Sequence, residues 1–213
     1  MKLTGLYAIV DTAALAKAQR DPIAFARALL VAKPAALQLR AKNDSARSAL
    51  ALALVLAPLC REAGVPFVVN DRVDLALAAG ADVVHLGQDD LDLRSARAIA
   101  PKLAFGVSTH SPDQLARALE AKPDYVAYGP IFATSSKANP DPVVGLEGLS
   151  RARSIVNKSK APDTPLVAIG GISAENAAQV ASFADAAAMI GALVVPDVAG
   201  HARALHRSLG GRS

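Results

Sequence analysis

Short, continuous apolar runs recur along the chain. Each is followed by a longer stretch in which apolar residues return every three or four positions. The runs are LYAIV (6–10), ALQL (36–39), FVV (67–69), VVHL (83–86), AFGV (104–107), YVAY (125–128), LVAI (166–169) and AAMI (187–190). A strand buried on both faces reads as such a run. The intervening stretches predict helices over 22–32, 45–63, 72–79, 92–99, 111–120, 147–157, 173–182 and 198–208. Several open on capping signals: Asp21 before Pro22, Ser111 before Pro112, and Ser173 with Asn176 following. Strands alternating with helices predict a parallel sheet. Eight such units within 213 residues predict one (β/α)8 barrel domain over residues 1–213. The alternative is an open, doubly wound sheet.

No linker divides the chain. The longest Gly/Pro/Ser-rich stretch, GPIFATSSKANPDPVVG (129–145), follows the sixth strand and is too long for a routine connection. Loops of that length are commonly functional lids. Composition adds limits. Apolar residues make up 52% and aromatics only 4%, which suits small-residue helices packed closely on a sheet. The net charge of +4 is too scattered for a nucleic-acid surface and fits an anionic small substrate. The single cysteine, Cys60, excludes an internal disulfide and a thiolate metal site, and its apolar helical context marks it as a core residue. No charged-then-apolar leader opens the chain, and no apolar run approaches the roughly 18 residues of a membrane span. A soluble, cytoplasmic protein without membrane or nucleic-acid partners is expected, and a homo-oligomer is compatible with the pattern.

In a (β/α)8 barrel, the active site lies at the carboxyl ends of the strands. The polar clusters fall at those ends. The second strand runs out into Gln38, Arg40 and Lys42, the third into Asn70, Asp71 and Arg72, the fourth into Gln88, Asp89 and Asp90. The fifth ends in Ser108, Thr109 and His110. The loop after the sixth carries Thr134, Ser135, Ser136 and Lys137, and the seventh ends in Gly170 and Gly171. Each cluster alone has a plain structural reading. Asp71 reads as a helix cap as well as a functional carboxylate, and Asp89 or Asp90 could cap a helix near Leu91. His110 reads as a helix-start residue or a base, and His85, inside an apolar run, as a satisfied core histidine. Their joint placement on one rim is the functional signal. Arg40, Lys42 and Lys137 with Asp71 and Asp90 suit a diphosphate: Mg2+ is usually held by one or two carboxylates plus substrate phosphates, and the cations neutralise the remaining charge. A second anion site is suggested by AIGGIS (168–173), where two glycines precede a predicted helix, and by Gly191 after the eighth strand.

Together the segments QLRAK (38–42), NDRVDLAL (70–77), HLGQDDL (85–91), GVSTHS (106–111), GPIFATSSK (129–137), GLEGL (145–149) and AIGGI (168–172) resemble the thiamine-phosphate synthase (thiamine-phosphate pyrophosphorylase) family over about residues 3–195. The resemblance implies a (β/α)8 barrel that joins 4-amino-5-hydroxymethyl-2-methylpyrimidine diphosphate to 4-methyl-5-hydroxyethylthiazole phosphate, with Mg2+ required. It implies that Asp71 and Asp90 bind the metal. It implies that Gln38, Arg40, Lys42, Asn70, Ser108 and Lys137 contact the pyrimidine diphosphate, with Lys137, Arg40 and Lys42 as the catalytic cations. Thr134, Ser135, Ser136, Gly171, Ile190 and Gly191 would hold the thiazole phosphate. The chain departs from the family pattern in three places. Ala41 replaces an acidic residue, at a position that alternation turns away from the ligand. Gly191 stands where many members have Ser. The segment before the eighth strand reads as one residue short. Two rivals share the fold: a thiazole tautomerase, which needs an acid/base residue, and a non-catalytic barrel that binds a thiamine precursor.

Overall fold

The computed structural model describes residues 1–134 and 141–211. The strands are β1 (Gly5–Asp11), β2 (Ala36–Arg40), β3 (Phe67–Asn70), β4 (Val83–Leu86), β5 (Ala104–Thr109), β6 (Tyr125–Tyr128), β7 (Leu166–Ile169) and β8 (Ala186–Met189). They pair in parallel in sequence order, and β8 closes onto β1. The closed barrel replaces the open-sheet alternative. Around it run α1 (Thr12–Lys17), α2 (Pro22–Leu30), α3 (Ala46–Ala63), α4 (Val73–Ala79), α5 (Leu93–Ile99), α6 (Pro112–Glu120), α7 (Gly145–Lys158), α8 (Ala177–Ala181) and α9 (Val198–Ser208).

Period-two alternation divides each strand between two cores. Leu6, Ala8, Val10, Leu37 and Leu39 face outward into the layer beneath the helices, with Phe25, Leu29 and Leu56. Burying each Leu there contributes about 1.5–3 kcal/mol relative to exposure. Tyr7, Ile9, Val68, Val83, Tyr125 and Val167 fill the barrel interior. Strand register fixes which residues share a level: Asn70 pairs with His85, His85 with Gly106, and Gly106 with Tyr125. Gly106 is required at its level, because a Cβ there would lie 2.0 Å from the Tyr125 ring.

Local signals place most helix starts. Asp21 accepts the Ala24 N–H at 2.6 Å at the head of α2, and Ser111 accepts that of Gln114 at 3.2 Å at the head of α6. Four expectations need correction. The helix predicted over 173–182 shrinks to α8, because the Asn176 side chain accepts the Ser173 N–H and donates to the Gly171 carbonyl, holding a loop instead. Neither Asp89 nor Asp90 caps a helix; Asp92 does, at the head of α5. Asp71 caps nothing either, since α4 starts after Arg72 without a side-chain cap. The eighth strand starts one residue earlier than predicted and is in register with both neighbours, so it closes the barrel without distortion. Two elements went unpredicted: α1, and a 3-10 turn at Gly191–Leu193.

Candidate functional site

Parallel strands place all their carboxyl ends on one rim, and the predicted residues that are described lie along it. Gln38 and Arg40 are on the inward face of β2, Asn70 ends β3, and Ser108 is on the inward face of β5. Ala41 packs against the outer core, as alternation requires. Past β3 the backbone turns tightly at Asp71, whose φ is +65°. Its N–H donates to the His85 carbonyl at 2.8 Å, and the Arg72 N–H closes back to the Asn70 carbonyl at 2.8 Å. A non-glycine residue in the left-handed region is costly and is often found where a side chain must be aimed. The turn delivers the Asp71 carboxylate to a pair of partners. Lys42 Nζ lies 3.1 Å from its Oδ2, and the Asp90 carboxylate is close enough to act on its ionisation. Asp90 is itself anchored by the Gly87 N–H at 2.6 Å.

Burial pushes the Asp71 carboxyl above the usual carboxylate range, Asp90 pushes it further, and Lys42 pulls it back. Two carboxylates crowded in this way are a poor arrangement for apo protein and a good one for a divalent cation. Among the described residues there is no group of three His, Cys, Asp or Glu side chains able to cage a metal. The donor set therefore fits Mg2+, which takes one or two carboxylates and completes its shell with phosphate oxygens and water.

Arg40 does not join that pair. Its guanidinium binds the carboxylate of Asp11, a residue the sequence reading missed. Asp11 is 5% exposed, ends β1, and also caps α1 by accepting the Ala14 N–H at 2.8 Å. One carboxylate thus fixes both a helix start and the pose of a rim cation. Arg72 pairs with the exposed Asp74. His110 is the helix-start residue expected rather than a free base: its N–H donates to Gln114 Oε1 at 2.7 Å at the head of α6, and its Nδ1 lies 2.7 Å from the Gly129 carbonyl and 3.6 Å from Asp141.

Beneath the rim runs a buried polar chain. Gln38 Nε2 donates to Tyr7 Oη at 2.9 Å; Tyr7 Oη meets Tyr125 Oη at 2.8 Å; Tyr125 Oη meets His85 Nδ1 at 2.8 Å; His85 Nε2 meets Ser108 Oγ at 2.8 Å. His85 is the satisfied core histidine expected, and burial brings its pKa down to about 4, with Asp90 opposing and His110 reinforcing. Burial likewise pushes both tyrosines up, so both remain protonated.

Across the mouth, two loops lie together. The Ile131 N–H donates to the Ile169 carbonyl at 2.9 Å and the Phe132 N–H to that of Gly170 at 3.0 Å. Gly170 and Gly171 have φ of +100° and +62°, and a Cβ on Gly171 would lie 2.4 Å from the Ala133 carbonyl oxygen. Glycine is the residue that tolerates both demands. Thr134 follows directly on this contact, while Ser135, Ser136 and Lys137 lie outside the described residues. The expectation that the two glycines head a helix is not met: α8 begins at Ala177 and is only five residues long. Ile190 and Gly191 stand at the adjoining end of β8.

Among the described residues no helix is long and apolar enough to cross a membrane. A family model described as thiamine monophosphate synthase matches residues 6–193. Thiamine-phosphate synthase of Koribacter versatilis is 45% identical over 199 residues, covering 92% of this chain and 91% of that protein. Its counterpart in Chloroflexus aurantiacus is 41% identical over 193 residues, covering 90% and 86%. Among solved structures, thiamine phosphate pyrophosphorylase from Pyrococcus furiosus superposes with a TM-score of 0.84 at 35% identity, covering 97% of this chain and 95% of that one. With the family model matching most of the chain and relatives more than 40% identical over most of their length, the chain belongs to the thiamine monophosphate synthase family.

Proposed function

We propose that the chain condenses 4-amino-5-hydroxymethyl-2-methylpyrimidine diphosphate with 4-methyl-5-hydroxyethylthiazole phosphate to give thiamine phosphate and pyrophosphate. Family membership supports the reaction. The observation that carries the site is the Lys42–Asp71–Asp90 cluster on the rim, one strand away from Arg40.

The chemistry asks little of a general base. The C–O bond to the diphosphate breaks, and pyrophosphate leaves with the bonding pair. The aminopyrimidine spreads the positive charge left on its methylene carbon. A neutral ring nitrogen of the thiazole then forms the C–N bond. The protein must stabilise the departing anion and hold two substrates in register. Arg40 and Lys42 take the diphosphate, with Lys137 as a third cation. Gln38, Asn70 and Ser108 hold the pyrimidine end and its diphosphate. Asp71 and Asp90 hold Mg2+, which when bound neutralises part of the charge on the leaving group. Thr134, Gly171, Ile190 and Gly191 hold the thiazole phosphate where the loops after β6, β7 and β8 adjoin, with Ser135 and Ser136 as further ligands. Arg40, Lys42, Asp71 and Asp90 favour this reading over a tautomerase, which has little use for a diphosphate grip. A cytoplasmic biosynthetic role goes with it.

The test is to mix both substrates with Mg2+ and measure thiamine phosphate. Formation that needs both substrates, and that falls at least about 100-fold in Asp71→Asn or Lys42→Ala with an unchanged circular dichroism spectrum, is the expected result. Thiazole tautomerisation without condensation, or binding without turnover, would contradict it.

A further inference from the structure

With the Gln38 amide turned so that Nε2 faces Tyr7, proton counting gives the buried polar chain one sense. Gln38 presents Nε2, a donor, to Tyr7 Oη at 2.9 Å. Tyr7 is 1% exposed, and its one proton has Tyr125 Oη, 2.8 Å away, as the acceptor in reach. Tyr125 then spends its own proton on His85 Nδ1 at 2.8 Å. Nδ1 is thereby the lone-pair nitrogen, the imidazole is neutral, and Nε2–H donates to Ser108 Oγ at 2.8 Å. With Gln38 so placed, a protonated His85 would reverse the Tyr125 bond and leave the buried Tyr7 proton without an acceptor, which is unfavourable for a desolvated donor. No buried side-chain nitrogen or oxygen among the described residues is left unpaired.

From this geometry we infer that the Gln38–Tyr7–Tyr125–His85–Ser108 relay is a specificity device that fixes which end of the site accepts and which donates. Because Nε2 is spent on Tyr7, Gln38 is left to offer its carbonyl Oε1 to a ligand. Because Ser108 Oγ accepts from His85, its own hydroxyl proton is left for a ligand. An acceptor at one end and a donor at the other match a ligand with an amino group on its heterocycle and an anion on its arm. The opposite sense would aim an NH2 group at the amine and a lone pair at the anion, wrong at both ends. Tyr7, Tyr125 and His85 are thus positioning residues, acting through Gln38 and Ser108. The inference rests on the aminopyrimidine diphosphate reading above and deepens it: the relay selects the 4-amino over the 4-oxo pyrimidine, because the oxo form presents an acceptor to Gln38 Oε1.

The experiment compares the 4-amino-pyrimidine diphosphate with its 4-oxo counterpart by calorimetric titration in the presence of Mg2+. The unmodified protein should bind the amino form at least about 100-fold tighter, as expected of a site built to hydrogen-bond one group. In Tyr125→Phe, Tyr7 loses its acceptor and donates back to Gln38, which turns Nε2 toward the ligand. The preference should fall at least about tenfold, with an absolute gain in affinity for the oxo form, which mere loosening of the core would not produce. Tyr7→Phe, which frees the Gln38 amide without reversing it, should lower the preference without that gain, and decides the matter if Tyr125→Phe does not fold. Equal weakening of both ligands in these variants, with the preference intact, would overturn the inference alone. Failure of the unmodified protein to form thiamine phosphate would instead overturn the functional reading and the inference with it.

Discussion

Lowering the pH should cost this protein stability through one residue, His85. Its side chain is buried inside the barrel, hydrogen-bonded on both ring nitrogens, and its pKa is brought down to about 4 from an ordinary 6.5. Between those values the unfolded chain binds a proton that the native protein refuses, so stability falls as the pH falls. The gap of about two and a half pH units, at about 1.4 kcal/mol each, is about 3 kcal/mol in full and about 2.5 kcal/mol by pH 4.5. Asp71 works in the other direction, since its raised pKa lets the native state take up a proton early. The His85 contribution is therefore isolated by comparison with His85→Gln, which retains polar contacts but does not titrate in this range. Urea unfolding followed by far-UV circular dichroism at intervals from pH 7 to 4.5 should give wild-type and variant curves that converge or cross as the pH falls, the wild type losing about 2.5 kcal/mol more. Parallel curves across that interval would show that His85 is not held neutral.

Other substitutions probe the geometry directly. Gly106→Ala places a methyl 2.0 Å from the Tyr125 ring and should cost about 1–3 kcal/mol, read as a lowered Tm by calorimetry. Asp11→Ala removes the α1 cap and releases Arg40; it should lose about 1 kcal/mol of stability and more than tenfold in kcat/KM, whereas Asp21→Ala, a cap remote from Arg40, should lose only stability. Gly191→Ser should be structurally free, because a Cβ there meets nothing within 4 Å, and its hydroxyl should lower KM for the thiazole phosphate about fivefold.

The barrel was legible because its strands are buried on both faces and so read as unbroken apolar runs, each followed by a polar exit. Local chemistry carried the caps at Asp21 and Ser111 for the same reason: the side chain bonds a backbone N–H three residues away. The same logic failed at Ser173, where Asn176 looks like part of a cap and instead ties the chain back to Gly171. It missed α1 because Thr12 follows β1 with no break, so the strand end and the helix cap are the one residue Asp11. The rim carboxylates Asp71 and Asp90 were found by position after a strand. Asp11 as the partner of Arg40, and the relay from Gln38 to Ser108, were not. Those contacts join residues separated by 23 to 118 positions, and strand register brings them together. A tyrosine inside an apolar run gives no sign of what its hydroxyl will meet across a barrel.

The central claim is that two crowded carboxylates and the neighbouring cations form a Mg2+-dependent diphosphate grip. Titration of the intact protein with inorganic pyrophosphate, with and without Mg2+, tests it most directly. The account predicts binding that tightens at least about tenfold when Mg2+ is present, and loses that gain in Asp71→Asn while the Mg2+-free affinity is retained or improved. Affinity indifferent to Mg2+, or a metal effect that survives Asp71→Asn, would contradict it.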